Sequence, residues 1–240
     1  MKYKNLILIG TSHIAEQSLR EVEESIEKEN PDIIAVELDK RRKYALLSNQ
    51  NRKISVFDIK HVGFKGYLFS LIGAFLQKKL GKIVGISPGS EMLTAIKLAN
   101  EKKIKVALID QDILVTLQRL KSISFIELLK LFIIDPLKGL IFKKSVVDGL
   151  EIRELDLRKV PEKDLIRKLM KVIRKRYPIL YRVLIEERNE YMALKLAKIM
   201  YTNEDKKILA VVGAGHEEEL IDLIKKKIDV VSYSYNYSYK

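Results

Sequence analysis

Two short stretches near opposite ends of the chain share one pattern: an apolar run, a glycine, two residues and a histidine. They are LILIGTSH at 6–13 and ILAVVGAGH at 208–216. The chain has three histidines; His13 and His216 hold equivalent places in this pattern, while His61, in DIKHVGFKG, reads as a loop residue. A helix N-terminus disfavours imidazolium, and a neutral imidazole can ligate a divalent ion or accept a proton. Glu37 is the third candidate, at the end of the apolar run IIAVE. A carboxylate beside two imidazoles can hold a divalent metal with a position left for water. It can equally act as a general base for that water, or form a salt bridge with Arg41 or Arg42.

Arg188 falls on a helical stripe with Tyr181, Leu184, Met192 and Ile199. A cation on an apolar stripe needs a partner, because an unpaired buried charge is costly. The candidates are Glu37, a substrate carbonyl or carboxylate, or an ion pair with Glu187 or Asp110. Glu91, which follows Pro88, reads as a metal ligand or as a first-turn acid. Asp39 reads as a turn or helix cap, and Asp112 as a cap or a ligand. Glu217, Glu218 and Glu219 read as the start of a solvated helix, with one of them in reach of the site.

These groups meet only if the elements that carry them do. Residues 6–10 predict a buried strand. Ala15, Leu19, Val22 and Ile26 follow at helical spacing, with Ser12 as N-cap, and 33–37 predict the next strand. Strand, helix, strand is the grammar of a parallel crossover, and functional groups gather past the carboxyl ends of such strands. Further strands are expected in ISVFDI (54–59), at 105–110 and in KKILAVVG (206–213). Helices are expected at 91–102, at 113–121, from Pro161, from Pro178 to about Tyr201, and at 219–227. The tail DVVSYSYNYSY alternates with period two and reads as an edge strand or an extended arm. The fold class is therefore α/β: one domain over 1–240 with a largely parallel mixed sheet flanked by helices, and a helical insertion at about 113–160.

The totals set outer bounds. The 240 residues include no cysteine, which excludes disulfides, thiolate metal sites and cysteine nucleophiles. The formal charge is +13, but the basic residues are scattered and no nucleic-acid reader motif occurs, so no nucleic-acid partner is expected. The first residues lack the apolar core of a secretory signal. No stretch reaches the ~18–20 uninterrupted apolar residues of a membrane span. A cytoplasmic protein is expected. The amphipathic stretch 123–147 reads as a packed helical hairpin or homodimer surface, with peripheral membrane contact as the alternative.

Taken together, GTSH, VELDKRR, PGSEM, LIDQDILVTLQR, ERNEYMA and VVGAGH resemble the TraB/PrgY family, which is related to the Tiki proteins and to the erythromycin-esterase and ChaN-like group. The six pieces occur in family order over about 6–220. The resemblance implies an α/β fold with both G-x-x-H motifs at one site, described in Tiki proteins as that of a metal-dependent protease using manganese or cobalt. By motif position, His13, Glu37 and His216 inherit the site roles and Arg188 the family arginine. TraB and PrgY relatives are linked to pheromone shutdown and include membrane-associated members. Relatives often carry a longer hydrophobic C-terminal region; the tyrosine–serine tail here implies either no integral anchor or a fragment. The expected activity is that of a metal-dependent hydrolase acting on peptides, a peptidase of the TraB/Tiki type. His13, His216, Glu37 and Glu91 would hold one divalent ion (manganese, cobalt or zinc), and Glu37 and Arg188 would serve catalysis. The alternative is a peptide-sequestering protein without catalysis, or a protein that works at the membrane periphery.

Overall fold

The computed structural model describes residues 1–11, 16–48, 63–65, 67–68, 89–134, 146–147, 150–151 and 163–238. His13, His61, the expected strand ISVFDI, Pro161 and most of the 135–160 stretch lie outside the described residues.

A five-stranded sheet forms the centre, in the order β1-β2-β7-β3-β4. β2 (Leu6–Thr11), β7 (Ile208–Gly213), β3 (Ile33–Val36) and β4 (Lys105–Leu108) run parallel, and β1 (Lys2–Tyr3) pairs antiparallel with β2; β5 (Val146–Val147) and β6 (Leu150–Glu151) form a separate antiparallel pair. This is the expected mixed, mostly parallel sheet. The last strand enters between the first two long ones, so β7 separates β2 from β3. Both faces of β7 are covered, which is why its sequence is an unbroken apolar run. Successive side chains alternate between layers. Ile208, Ala210 and Val212 join Met192, Leu196, Leu220 and Ile224 on one side. Leu209 and Val211 join Val22, Ile26, Met92 and Ala95 on the other.

The second layer is built from α1 (Glu16–Glu29) and α3 (Ser90–Glu101), with the short α2 (Lys40–Leu47) after β3. Asp39 is the N-cap of α2 and accepts from the amides of Arg41 and Arg42, as its position suggested. The expected helix at 113–121 ends earlier: α4 covers Ile113–Arg119, and a 3-10 turn follows at Leu120–Ser122. Asp112 caps α4. α5 (Phe125–Leu129) follows, and then a π turn at Lys130–Ile134. The buried Glu127 of α5 accepts from the amides of Ile179 and Leu180 at 2.9 and 3.3 Å. These are orphan donors at the start of α7 (Pro178–Tyr181), so a distant segment caps the helix that leads into the site. α6 (Lys163–Arg176) precedes α7. A π turn at Arg182–Glu186 links α7 to α8 (Glu187–Thr202).

The tail departs from its expected form. α9 runs from Glu217 to Ser238 and includes the stretch read as a strand or arm. Ile224, Ile228 and Val231 stand at helical spacing and are buried against the core, while Val230 is 60% exposed. The α9 face against α8 and the sheet thus overrides the period-two pattern of the tyrosines and serines.

Candidate functional site

The carboxyl ends of β3, β4 and β7 converge. Glu37 follows β3, and its amide extends the ladder by donating to the Val211 carbonyl at 3.1 Å. This register points the Glu37 carboxylate across the end of β7, where Oε2 accepts from the Gly213 amide at 2.6 Å. Asp110 follows β4, with its side chain fully buried. His216 ends the turn after β7. Its amide donates to the Gly213 carbonyl, and its own carbonyl accepts from Leu220, so it stands at the N-cap position of α9.

Arg188 on α8 closes the group. Its Nη2 donates to Glu37 Oε1 and, at 2.5 Å, to Asp110 Oδ2. Its Nε lies 3.2 Å from both Asp110 oxygens, and Nη1 donates to the Leu184 carbonyl in the preceding π turn at 3.2 Å. The arginine thus takes two of its candidate partners at once. The alternative bridge from Glu37 to Arg41 or Arg42 is replaced by this contact. Arg42 instead donates to Asp39 and Asp110 at 2.6 and 2.5 Å, and Arg41 donates to Asp112 at 3.1 Å. Burial would push the Asp110 carboxyl up, but Arg188 and then Arg42 outweigh it and hold it below the ordinary carboxylate range. Burial likewise works against the Arg188 cation, and the Glu37 and Asp110 charges reverse this and raise its pKa. Glu37, Asp39 and Asp110 face Arg42 and Arg188. Counted formally, these five groups carry one negative charge in excess.

His216 adjoins this network. Its Nε2 lies 3.3 Å from Arg188 Nη1 and 3.4 Å from Glu37 Oε1. Its Nδ1 lies 2.6 Å from Asn189 Oδ1. A carboxamide oxygen only accepts, so in the neutral ring Nδ1 carries the proton and Nε2 presents its lone pair. Asn189 Nδ2 donates to Glu219 Oε2 at 3.1 Å, and the Tyr181 hydroxyl donates to Glu219 Oε1 at 2.7 Å. Burial, followed by this bond to Glu219, raises the Tyr181 pKa.

The ion implied by the family resemblance can be tested against these donors. Metal–nitrogen and metal–oxygen bonds of about 2.0–2.2 Å at a tetrahedral angle set two donor atoms about 3.4 Å apart. Glu37 Oε1 and His216 Nε2 match that bite. Hydrogen-bonding of the other ring nitrogen is the usual support for a metal-binding histidine, and the excess negative charge suits a cation. The two donors therefore suit an ion in spacing and chemistry, and both are engaged here by the Arg188 guanidinium. Among the described residues no group of three or more His, Asp or Glu stands ready to hold a metal. Glu91 is buried in the first turn of α3.

Beside the site, a cleft of about 250 Å³ opens over the ends of β2 and β7, lined in part by Gly10, Met170, Tyr181, Gly215 and Glu219. Glu217, expected to be solvated, is buried beneath Gly10: a Cβ there would stand 2.7 Å from Glu217 Oε2. Glu219 is the acid of the 217–219 run that reaches the site, and Asn189 completes the His216 side without having been singled out. One signal did point to Asn189. It shares a stripe with Met192, Ala193, Leu196 and Met200, and a polar residue on such a face must find partners.

A model of the TraB/PrgY/gumN family matches residues 2–227. An uncharacterized protein of Methanocaldococcus jannaschii is 36% identical over 227 residues, which cover 92% of this chain and 54% of that relative. TraB domain-containing proteins of Mus musculus and Homo sapiens are each 26% identical over 87% of this chain and 60% of their own length. The chain thus spans between half and two thirds of the length of these relatives.

Proposed function

The chain belongs to the TraB/PrgY/gumN family, and on that premise we propose that it is a metal-dependent hydrolase acting on peptide or protein substrates. The observation that carries this reading is His216. Its Nδ1 lies 2.6 Å from Asn189 Oδ1, and its Nε2 stands 3.4 Å from Glu37 Oε1. Glu37 and His216 would hold a divalent ion (manganese, cobalt or zinc), with His13 and Glu91 as the further ligands expected from the sequence. When bound, such an ion lowers the pKa of a coordinated water toward neutrality and polarises a carbonyl.

The chain's own residues do the rest. Gly213 pins one Glu37 oxygen, and the other, which accepts from Arg188, is the one that faces His216. Arg188, locked by Asp110, would place a fixed positive charge beside the negative charge that develops on a substrate carbonyl oxygen. Peptide would lie in the cleft above Gly10 and Gly215.

The test is metal uptake and peptide cleavage by the purified chain, with His216→Ala and Glu37→Gln beside it. Expected is uptake close to one ion per chain and cleavage, with both lost in His216→Ala. Cleavage or uptake that survives this substitution dismisses the reading. Glu37→Gln separates a ligand from a general base: a base variant keeps the ion and loses turnover.

A second reading, peptide capture without cleavage, is favoured by the Arg188 contacts, which already engage both Glu37 and His216. Stoichiometric peptide binding with no ion and no product supports it. Peripheral contact with an anionic membrane through 123–147 is a further proposal. Among the described residues no helix is long and apolar enough to cross a membrane, while Phe125 and Ile126 are 74% and 63% exposed. Sedimentation with anionic liposomes, lost in Phe125→Asp, tests it.

A further inference from the structure

Resting on the metal-site reading, we propose that Glu219 is a positioning residue that acts through Asn189 to decide which ring nitrogen of His216 is bare. A carboxamide has one accepting end and one donating end, and it can turn over. What holds Asn189 in one sense is the group behind it. Glu219 is a carboxylate, so it only accepts. At 3.1 Å from Asn189 Nδ2 it keeps the donating end on its own side, and Oδ1 is left facing His216 Nδ1 at 2.6 Å.

The carboxylate is itself fixed. The Tyr181 hydroxyl donates to Oε1 at 2.7 Å, and Arg174 Nη1 stands 3.9 Å from the same oxygen. Glu219 also lies in the first turn of α9, where the helix dipole favours a negative charge. Tyr181, Glu219, Asn189 and His216 therefore form one directed chain of hydrogen bonds, each with a single compatible sense.

The far ring nitrogen does not settle the matter alone. Nε2 has a donor, Arg188 Nη1, at 3.3 Å and an acceptor, Glu37 Oε1, at 3.4 Å. Either tautomer finds a partner there. The choice falls to the short bond at Nδ1, and through Asn189 to Glu219. Without Glu219 the amide is free to turn, which would present NH₂ to Nδ1 and move the ring proton to Nε2. Nε2 would then have no lone pair for an ion. Glu219 also lines the cleft, so a ligand that draws it away reaches His216 through two hydrogen bonds.

The test is long-range proton–nitrogen NMR on the ¹⁵N-labelled, chelator-treated full chain at about pH 8, where a histidine of ordinary pKa is neutral. His216→Gln identifies the His216 signals among the three histidines. Expected are a protonated Nδ1 and a bare Nε2 in the wild type. Glu219→Leu, with Glu219→Ala as the alternative should it fold poorly, shifts the ring to the other tautomer or to a mixture. Adding Asn189→Asp to either variant restores the original tautomer, since a carboxylate at that position accepts in both senses. A purely structural role for Glu219 would not produce this rescue.

Cobalt affinity should fall by about 10–100-fold in Glu219→Leu and recover in the double variant. A wild type protonated on Nε2, or a tautomer unmoved in both Glu219 variants, overturns the proposal even if the wild type binds cobalt. A tautomer that responds as expected in a chain that binds no cobalt leaves the Glu219 assignment standing and dismisses the metal reading instead.

Discussion

Replacing Arg188 with methionine keeps a flexible apolar stem and removes the guanidinium. Two nearly inaccessible carboxylates lose their shared partner: Glu37, 4% exposed, and Asp110, 0%. Breaking a buried pair by removing one member costs about 3–5 kcal/mol. Asp110 keeps Arg42 at 2.5 Å, and Glu37 keeps the Gly213 amide at 2.6 Å. The cost therefore falls in the lower part of that range, about 3–4 kcal/mol. For a chain of this size each kcal/mol moves Tm by about 2–4 °C, so the drop is roughly 6–16 °C. Arg188→Lys keeps the charge without the fork and falls in between. Arg188→Met combined with Glu37→Gln recovers part of the loss, because the neutral amide oxygen still accepts from Gly213.

The pH dependence carries a sign. The folded-state pKa of Asp110 is depressed, so its contribution is full above the unfolded value of about 4 and is lost as pH falls below it. Without Arg188 that contribution shrinks. The stability gap between wild type and Arg188→Met is therefore widest near neutral pH and narrows below about pH 4. Thermal and urea unfolding followed by circular dichroism read both effects. A cost below about 1 kcal/mol, or a gap that does not change with pH, would refute the view that Arg188 neutralises buried carboxylates.

Gly10→Ala places a methyl 2.7 Å from Glu217 Oε2 and 3.1 Å from the Ala214 backbone; a loss of about 1–3 kcal/mol in urea unfolding is expected. Glu127→Ala removes the acceptor for the Ile179 and Leu180 amides and should cost about 1–2 kcal/mol. Glu127→Gln, which keeps one acceptor, should cost less in the same assay. Val231→Asp buries a charge on α9 and should cost at least about 2 kcal/mol, whereas Val230→Asp, at a 60% exposed neighbour, should stay within about 0.5 kcal/mol. Equal costs at these two positions would contradict the helical tail.

The cluster separates charges that lie close in sequence. Arg41 and Arg42 stand four and five positions after Glu37 and read as its nearest partners, yet α2 carries them toward Asp39, Asp110 and Asp112. Glu37 is met by an arginine 151 positions away. Because Arg188 serves both Glu37 and Asp110, those carboxylates are coupled: a change at either alters the charge that the arginine must balance.

What the sequence determined by itself was local. The apolar runs ending in Gly10, Glu37 and Gly213 could be only buried strands, and the spacing on α1, α3 and α8 could be only helices with one covered face. That was enough for the α/β class and for naming Glu37, Arg188 and His216. The tertiary structure decided who meets whom. The entry of β7 between β2 and β3 aims the Gly213 amide at Glu37, and the packing of α9 on α8 brings Glu219 to Asn189 and Asn189 to His216. The reason is physical: side-chain periodicity reports whether a residue is covered, a property of its own few neighbours in the chain. A hydrogen bond between residues 176 positions apart exists only once strand order and register have been chosen.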